Sequence, residues 1–185
     1  MNSRKRTRML TEGALMVAAA HILGMIKLWE MPWGGTVVLA MVPLVLYAVR
    51  WGLGPGLLAG AASGLLLLTT EGGFAIGWQS ILGDYVVAMM ALGLAGLAKG
   101  RKGGVFTGTL LGCGGRFLVH WVVGATVWAS YMPETFMGMG MSSPWVYSAL
   151  YNGVFMGANT LITLLVFALL WGPLNRFFQG EDIAE

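Results

Sequence analysis

The run RFLVHWVVGATVWASY, from Arg116 to Tyr131, is apolar around most of a helix and polar along one line of it. Arg116, His120, Gly124 and Trp128 recur every fourth residue, so on an α-helix they form one slowly drifting stripe, with Tyr131 about a turn further on. The other faces include Leu118, Val119, Val122, Val123 and Val127. A helix this apolar belongs in lipid or deep in a bundle, where polar groups are costly unless they face a partner, a cavity or a ligand. The stripe is therefore a candidate site.

The rest of the chain agrees with a membrane setting. Hydrophobic residues make up 57% and charged residues only 10%, against about a quarter charged in soluble proteins. With 185 residues there is room for about six helices of ~20 residues and no separate soluble domain. The expected fold is an all-α integral membrane bundle of six transmembrane helices, a single membrane domain over residues 1–185. The single cysteine, Cys113, excludes an internal disulfide and a cysteine-rich metal centre, and reads as a small buried hydrophobe.

Residues 1–8, MNSRKRTR, are basic and no small-residue cleavage site follows the next apolar run, which reads as an uncleaved cytoplasmic end. Spans are expected at about 9–28, 36–50, 53–70, 78–98, 104–131 and 145–171. Trp29–Gly35, Glu71–Gly77 and PETFMGMGMSSP supply the outer loops, KGRKGG a basic turn, and GEDIAE a polar tail. The charges test this arrangement, because cytoplasmic connections carry the Lys and Arg excess. With the N-terminus inside, Arg4, Lys5, Arg6, Arg8, Arg50, Lys99, Arg101, Lys102 and Arg176 all fall on the cytoplasmic side, nine of the 11 basic residues. Lys27 and Arg116 are the exceptions, and Glu30, Glu71 and Glu134 fall outside. Both termini are thus expected in the cytoplasm.

That topology decides which polar groups can meet. Asp84 lies in the outer half of the fourth span. Arg116 lies roughly 18 Å beyond Gly104 at ~1.5 Å per residue, near or past the middle of a hydrocarbon core about 30 Å thick. Tyr147, Tyr151 and Asn152 occupy the first turns of the sixth span. Asp84, His120, Trp128, Tyr147 and Asn152 therefore converge on an outward-facing pocket. One carboxylate among indole, phenol, imidazole and amide groups suits a small, flat, aromatic, preferably cationic ligand. Blander roles exist for each residue. Asp84 and Arg116 can form a purely structural ion pair, His120 can be a satisfied interior histidine, and Trp128, Tyr131, Trp145 and Tyr147 suit an interfacial aromatic belt.

Nearly the whole chain resembles the thiamine-specific substrate-binding subunit (S component) of energy-coupling factor vitamin transporters. The resemblance is carried by LTEGA near the start, WGG followed by MVPLVLYAVRWGLGPGLLAG, GDYVVAMMALGLAGL, RFLVHWVVGATVWASYMP and SPWVYSALYNG. It implies a membrane subunit that binds thiamine with high affinity from outside, in the cell membrane. Asp84 would contact the aminopyrimidine with Tyr85 beside it, and Trp128 would stack on a ring. His120, Gly124, Tyr147 and Asn152 would be further pocket positions, with Trp33, or Trp29 in its place, closing from the first outer loop. Asp84 stands where the family can carry Glu, and ETFMGMGM is an addition to the loop after the fifth span.

The first span has a small-residue face with Ala14 and Ala18 four apart, a spacing that permits close helix approach. The resemblance implies that this face docks on a transmembrane coupling (T) subunit, which works with two ATPase subunits; ordinary packing within the bundle is the alternative. No GxxxxGK[ST] phosphate loop is present, and no intramembrane carboxylate ladder suggests proton coupling. The chain is therefore not expected to be an enzyme, to carry a cofactor or metal, or to bind nucleic acid. Rival readings are a sister subunit for riboflavin, biotin or another small nutrient, a small intramembrane enzyme, and a non-transport scaffold. The absence of an HExxH or Asp-rich cluster and of a GxSxG turn counts against the enzyme.

Overall fold

The structure, a computed structural model, describes residues 2–71 and 75–184; residues 72–74 of the second outer loop lie outside that set. It is an all-α membrane bundle of six helices. Helix α1 is Ser3–Gly24, begun by Asn2, whose side chain accepts the Lys5 N–H at 2.8 Å. Strands β1 (Trp29–Glu30) and β2 (Thr36–Val37) pair antiparallel around a 3₁₀ turn at Pro32–Gly34. Helices α2 (Met41–Trp51), α3 (Leu53–Glu71), α4 (Trp78–Ala98) and α5 (Gly104–Thr126) follow. A hairpin of β3 (Thr135–Phe136) and β4 (Met139–Gly140) leads into α6 (Pro144–Phe178), and the single turn α7 (Glu181–Ala184) ends the described chain.

Helix α2 starts at Met41 rather than near residue 36 because residues 36–37 are spent on β2. At ~1.5 Å per residue it is roughly 16 Å long, too short to cross a core of about 30 Å. It does not face lipid at all: every residue of it but Val42 is buried. It is the post around which the longer helices stand. Among the described residues three helices, α3, α4 and α6, are long and apolar enough to cross a membrane. The outer surface carries apolar side chains such as Leu58 and Leu65 on α3 and Leu161, Leu165 and Leu169 on α6, as a lipid-facing belt requires.

Two glycine seams position α4. On α3, Gly56, Gly60 and Gly64 face it, and a Cβ at Gly60 or Gly64 would stand 2.3 Å from the carbonyl oxygen of Met89 or Tyr85. On α5, Gly104, Gly108 and Gly112 do the same against Ala98, Ala95 and Leu92. Without side chains in the way, backbones touch directly, the small-residue packing that membrane helices use for close association.

Helix α4 is also irregular. Ile81–Val87 is wound as π-helix and Leu92–Ala98 as 3₁₀-helix, with the Ala88 N–H bonded to the carbonyl of Gly83, five residues back. Wide π turns gather at functional positions in helices, and this one holds Asp84 and Tyr85.

One end of the bundle brings the basic start of α1 against the acidic turn α7. Arg8 of α1 bonds the Asp182 main-chain oxygen at 2.7 Å as well as its carboxylate, Arg50 at the end of α2 pairs with Glu12, and Lys99 after α4 donates to Trp51 O at 3.2 Å. The first turns of α1 and the turn α7 therefore sit at the same end of the molecule.

Candidate functional site

At the other end, α1, α3, α4, α5, α6 and the segment 34–40 enclose a cavity of about 170 Å³. A water needs only about 10–15 Å³ on that measure, so the space suits an organic ligand. Asp84, Tyr85, His120, Gly124, Trp128, Tyr147 and Asn152 all line it, as does Arg116. Of the expected site residues only Trp33 is undecided, since its side chain is outside the described set; its neighbours Gly34 and Gly35 line the cavity.

The polar centre is Asp84. Its Oδ1 lies 2.9 Å from His120 Nδ1, and its Oδ2 accepts the indole N–H of Trp128 at 2.8 Å. Arg116 stands one step back, its Nε donating to His120 Nε2 at 3.2 Å. With Nε2 occupied as an acceptor, the imidazole carries its proton on Nδ1 and aims it at the carboxylate. His120 thus links Asp84 to Arg116, the two groups considered as a pair from sequence. A carboxylate has about four lone-pair sites, so Asp84 keeps capacity for donors on a ligand. Its side chain is 19% exposed and that of His120 11%, which places both in a low-dielectric pocket where such bonds strengthen.

The stripe on α5 is not a continuous α-helix to Tyr131. The regular helix ends at Thr126, the Trp128 N–H reaches back to Val123 O at 3.2 Å, and Ala129–Tyr131 form a 3₁₀ turn. Trp128 and Tyr131 nevertheless stay together, rings edge to face at 5.5 Å. Gly124 has a packing duty as well. A Cβ there would lie 2.3 Å from Ser148 Oγ and 3.1 Å from Asn152 Nδ2, so glycine lets α6 close on the cavity wall. Asn152 donates to Ser148 O at 2.9 Å and to His120 O at 3.3 Å, bridging the two helices.

The rim is aromatic. Tyr147 packs against Tyr151 at 5.7 Å, and Phe136 of the β3–β4 hairpin sits edge-on to Tyr147 at 5.4 Å. The methionine-rich stretch therefore forms a hairpin on the rim, turned by Met137 and Gly138, both at positive φ. Tyr151 also fastens the first outer loop, accepting the Gly35 N–H at 3.0 Å and donating to Pro32 O. Two turns further on, buried Asn159 holds β2 from both sides, accepting the Val38 N–H at 3.0 Å and donating to Thr36 O at 2.8 Å.

Tyr151, Ser148 and His21 line the cavity without having been assigned to it from sequence. A signal existed for Tyr151, one turn beyond Tyr147 on the same face. His21 is a polar residue in an otherwise apolar stretch of α1. Ala14 and Ala18 lie outside the cavity, exposed on the outer face of α1.

Comparisons with known proteins agree with one another. A family model described as "Thiamine transporter protein" matches residues 10–179. The thiamine transporter ThiT of Bacillus subtilis (strain 168) is 31% identical, the match covering 98% of this chain and 99% of that protein. ThiT of Lacticaseibacillus paracasei is 27% identical over 77% of this chain and 76% of its own. A solved structure of ThiT from Listeria monocytogenes superposes with a TM-score of 0.80 over 94% of this chain and 98% of that one, at 22% identity, which bears on the fold alone.

Proposed function

Because the chain belongs to the thiamine transporter family, we propose that it captures thiamine from outside the cell and delivers it as the substrate-binding subunit of an ATP-driven vitamin uptake complex. The observation that carries this reading is Asp84, held between His120 and Trp128 inside an aromatic-rimmed cavity. Thiamine joins an aminopyrimidine to a cationic thiazolium ring. The carboxylate answers the amino-heterocycle with charge-assisted hydrogen bonds, and the faces of Trp128 and Tyr147 answer the cationic ring. Tyr85, His120, Gly124 and Asn152 complete the contact surface, with Trp33 closing from the first loop.

The energy comes from elsewhere. Ala14 and Ala18 present an exposed small-residue face on α1, suited to a close helix contact with a transmembrane coupling subunit, which in turn works with two ATPase subunits. The basic end of the bundle faces the cytoplasm, following the distribution of Lys and Arg.

Tryptophan fluorescence of the detergent-purified chain, titrated with thiamine and with riboflavin and biotin as controls, tests the ligand. Saturable quenching by thiamine alone, weakened in Trp128→Ala, is the expected result. No response up to about millimolar thiamine, where binding is worth only ~4 kcal/mol, would defeat the assignment.

A further inference from the structure

At the end of the bundle away from the cavity, one arginine is wholly enclosed. The Arg50 side chain has 0% exposure, and all five of its N–H donors are used. Nε and Nη2 grip the Glu12 carboxylate at 2.5 and 3.0 Å, Nη1 and Nη2 grip that of Asp182 at 3.0 and 3.1 Å, and Nη1 also donates to Phe177 O. The guanidinium lies 3.6 Å from the centre of the Phe177 ring. Arg8 closes the circuit onto Asp182. Two cations and two carboxylates thus join α1, α2, the end of α6 and α7 with no formal charge left over.

Buried ion pairs add little net stability over apolar packing, but they fix geometry strongly, since removing one member strands the others. The geometry fixed here is that of α1. Of that helix only Gly13, Val17 and Ala20 are buried, with Met9 and Met16 packed partly against the core, so its apolar face is narrow and polar ties help to set its rotation. Tyr47 adds one more tie at this end, its hydroxyl donating to Met9 O at 3.0 Å beside Gly13. Ala14 lies about 200° around the helix from Glu12 at ~100° per residue. Holding Glu12 inward on Arg50 therefore holds Ala14 and Ala18 outward.

We propose that the Glu12–Arg50–Asp182 cluster is a positioning device that sets the rotation of α1, and with it the alanine face offered to the coupling subunit, so that Arg50 and Asp182 act on delivery and not on capture. This rests on the docking role given to Ala14 and Ala18 above. The C-terminal turn α7 is part of the device, because its Asp182 supplies half of the arginine's carboxylate ligands.

The test compares thiamine affinity of the purified chain with uptake of labelled thiamine by cells expressing the whole transporter. Asp182→Asn, and a chain ending at Gln179, should keep thiamine Kd within about twofold while uptake falls about tenfold. Asp182→Glu should restore most of the uptake. Unchanged uptake in both variants, or affinity and uptake lost in parallel, overturns the proposal. Ala14→Leu with Ala18→Leu is the reference. If that pair abolishes uptake and Asp182→Asn does not, only the role of the cluster falls; if the pair is harmless, the docking reading falls and the proposal with it.

Discussion

The indole N–H of Trp128 donates to the Asp84 carboxylate at 2.8 Å, joining the end of α5 to the π-helical turn of α4. Trp128 thus does two things that a single substitution can separate. Trp128→Phe keeps an aromatic face and removes the donor. A hydrogen bond to a charged group is worth about 1.5–3 kcal/mol, so calorimetric thiamine affinity should fall roughly tenfold to a hundredfold. Trp128→Ala should lose more, since the face goes too. Equal losses in the two variants would mean that the face contributes nothing, and no loss in Trp128→Phe would mean the same of the N–H.

Tyr151→Phe frees the Gly35 N–H and the Pro32 carbonyl while leaving the ring packed on Tyr147 and Phe155. Amide hydrogen exchange at Gly35 should accelerate, and thiamine should dissociate faster with little change in association. Val38, held separately by Asn159, serves as the internal standard and should exchange as in the wild type.

Gly60→Ala places a methyl 2.3 Å from the Met89 carbonyl oxygen. Overpacking of this kind costs about 1–3 kcal/mol, and thermal unfolding in detergent should move down accordingly. On α6, a methyl at Gly157 would meet nothing within 4 Å. There alanine should be neutral or stabilising by up to ~1 kcal/mol. Similar shifts for both would refute the direct backbone contact.

The Asp182 carboxyl is held below the usual carboxylate range first by hydrogen bonds from Arg50, with burial opposing and the charges of Arg50 and Arg8 adding to it. A depressed folded-state value stabilises the fold above the unfolded value, near ~3.9, and that contribution is lost as pH falls through the folded one. Protease protection of the C-terminal turn should therefore be flat across neutral pH and fail only below about pH 4. Asp182→Asn should remove this acid limb and start from a lower plateau.

Much of the site was legible because helical period converts spacing into direction. Arg116, His120, Gly124 and Trp128 needed no fold to be placed on one face, and topology then brought Asp84 and Asn152 to the same depth. The local geometry was not legible: neither the π turn at Asp84 nor the break after Thr126 leaves a mark in residue spacing. Arg50 counted from sequence only as a cytoplasmic charge, because nothing periodic relates it to Asp182, 132 residues away. The glycine seams are a different case. Gly56, Gly60 and Gly64, and Gly104, Gly108 and Gly112, stand four apart in the sequence, and the small-residue rule applied to Ala14 and Ala18 would have found them.

Those seams also bear on how such a binding protein can change its diet. Where Gly60, Gly64 and Gly112 meet the backbone of α4 there is no side-chain layer to repack, so along the seams α4 cannot be shifted by trading one hydrophobe for another. Adaptation toward a new ligand has to proceed through residues that face the cavity from α5, α6 and the two outer loops, around an acidic anchor that stays where the backbone puts it.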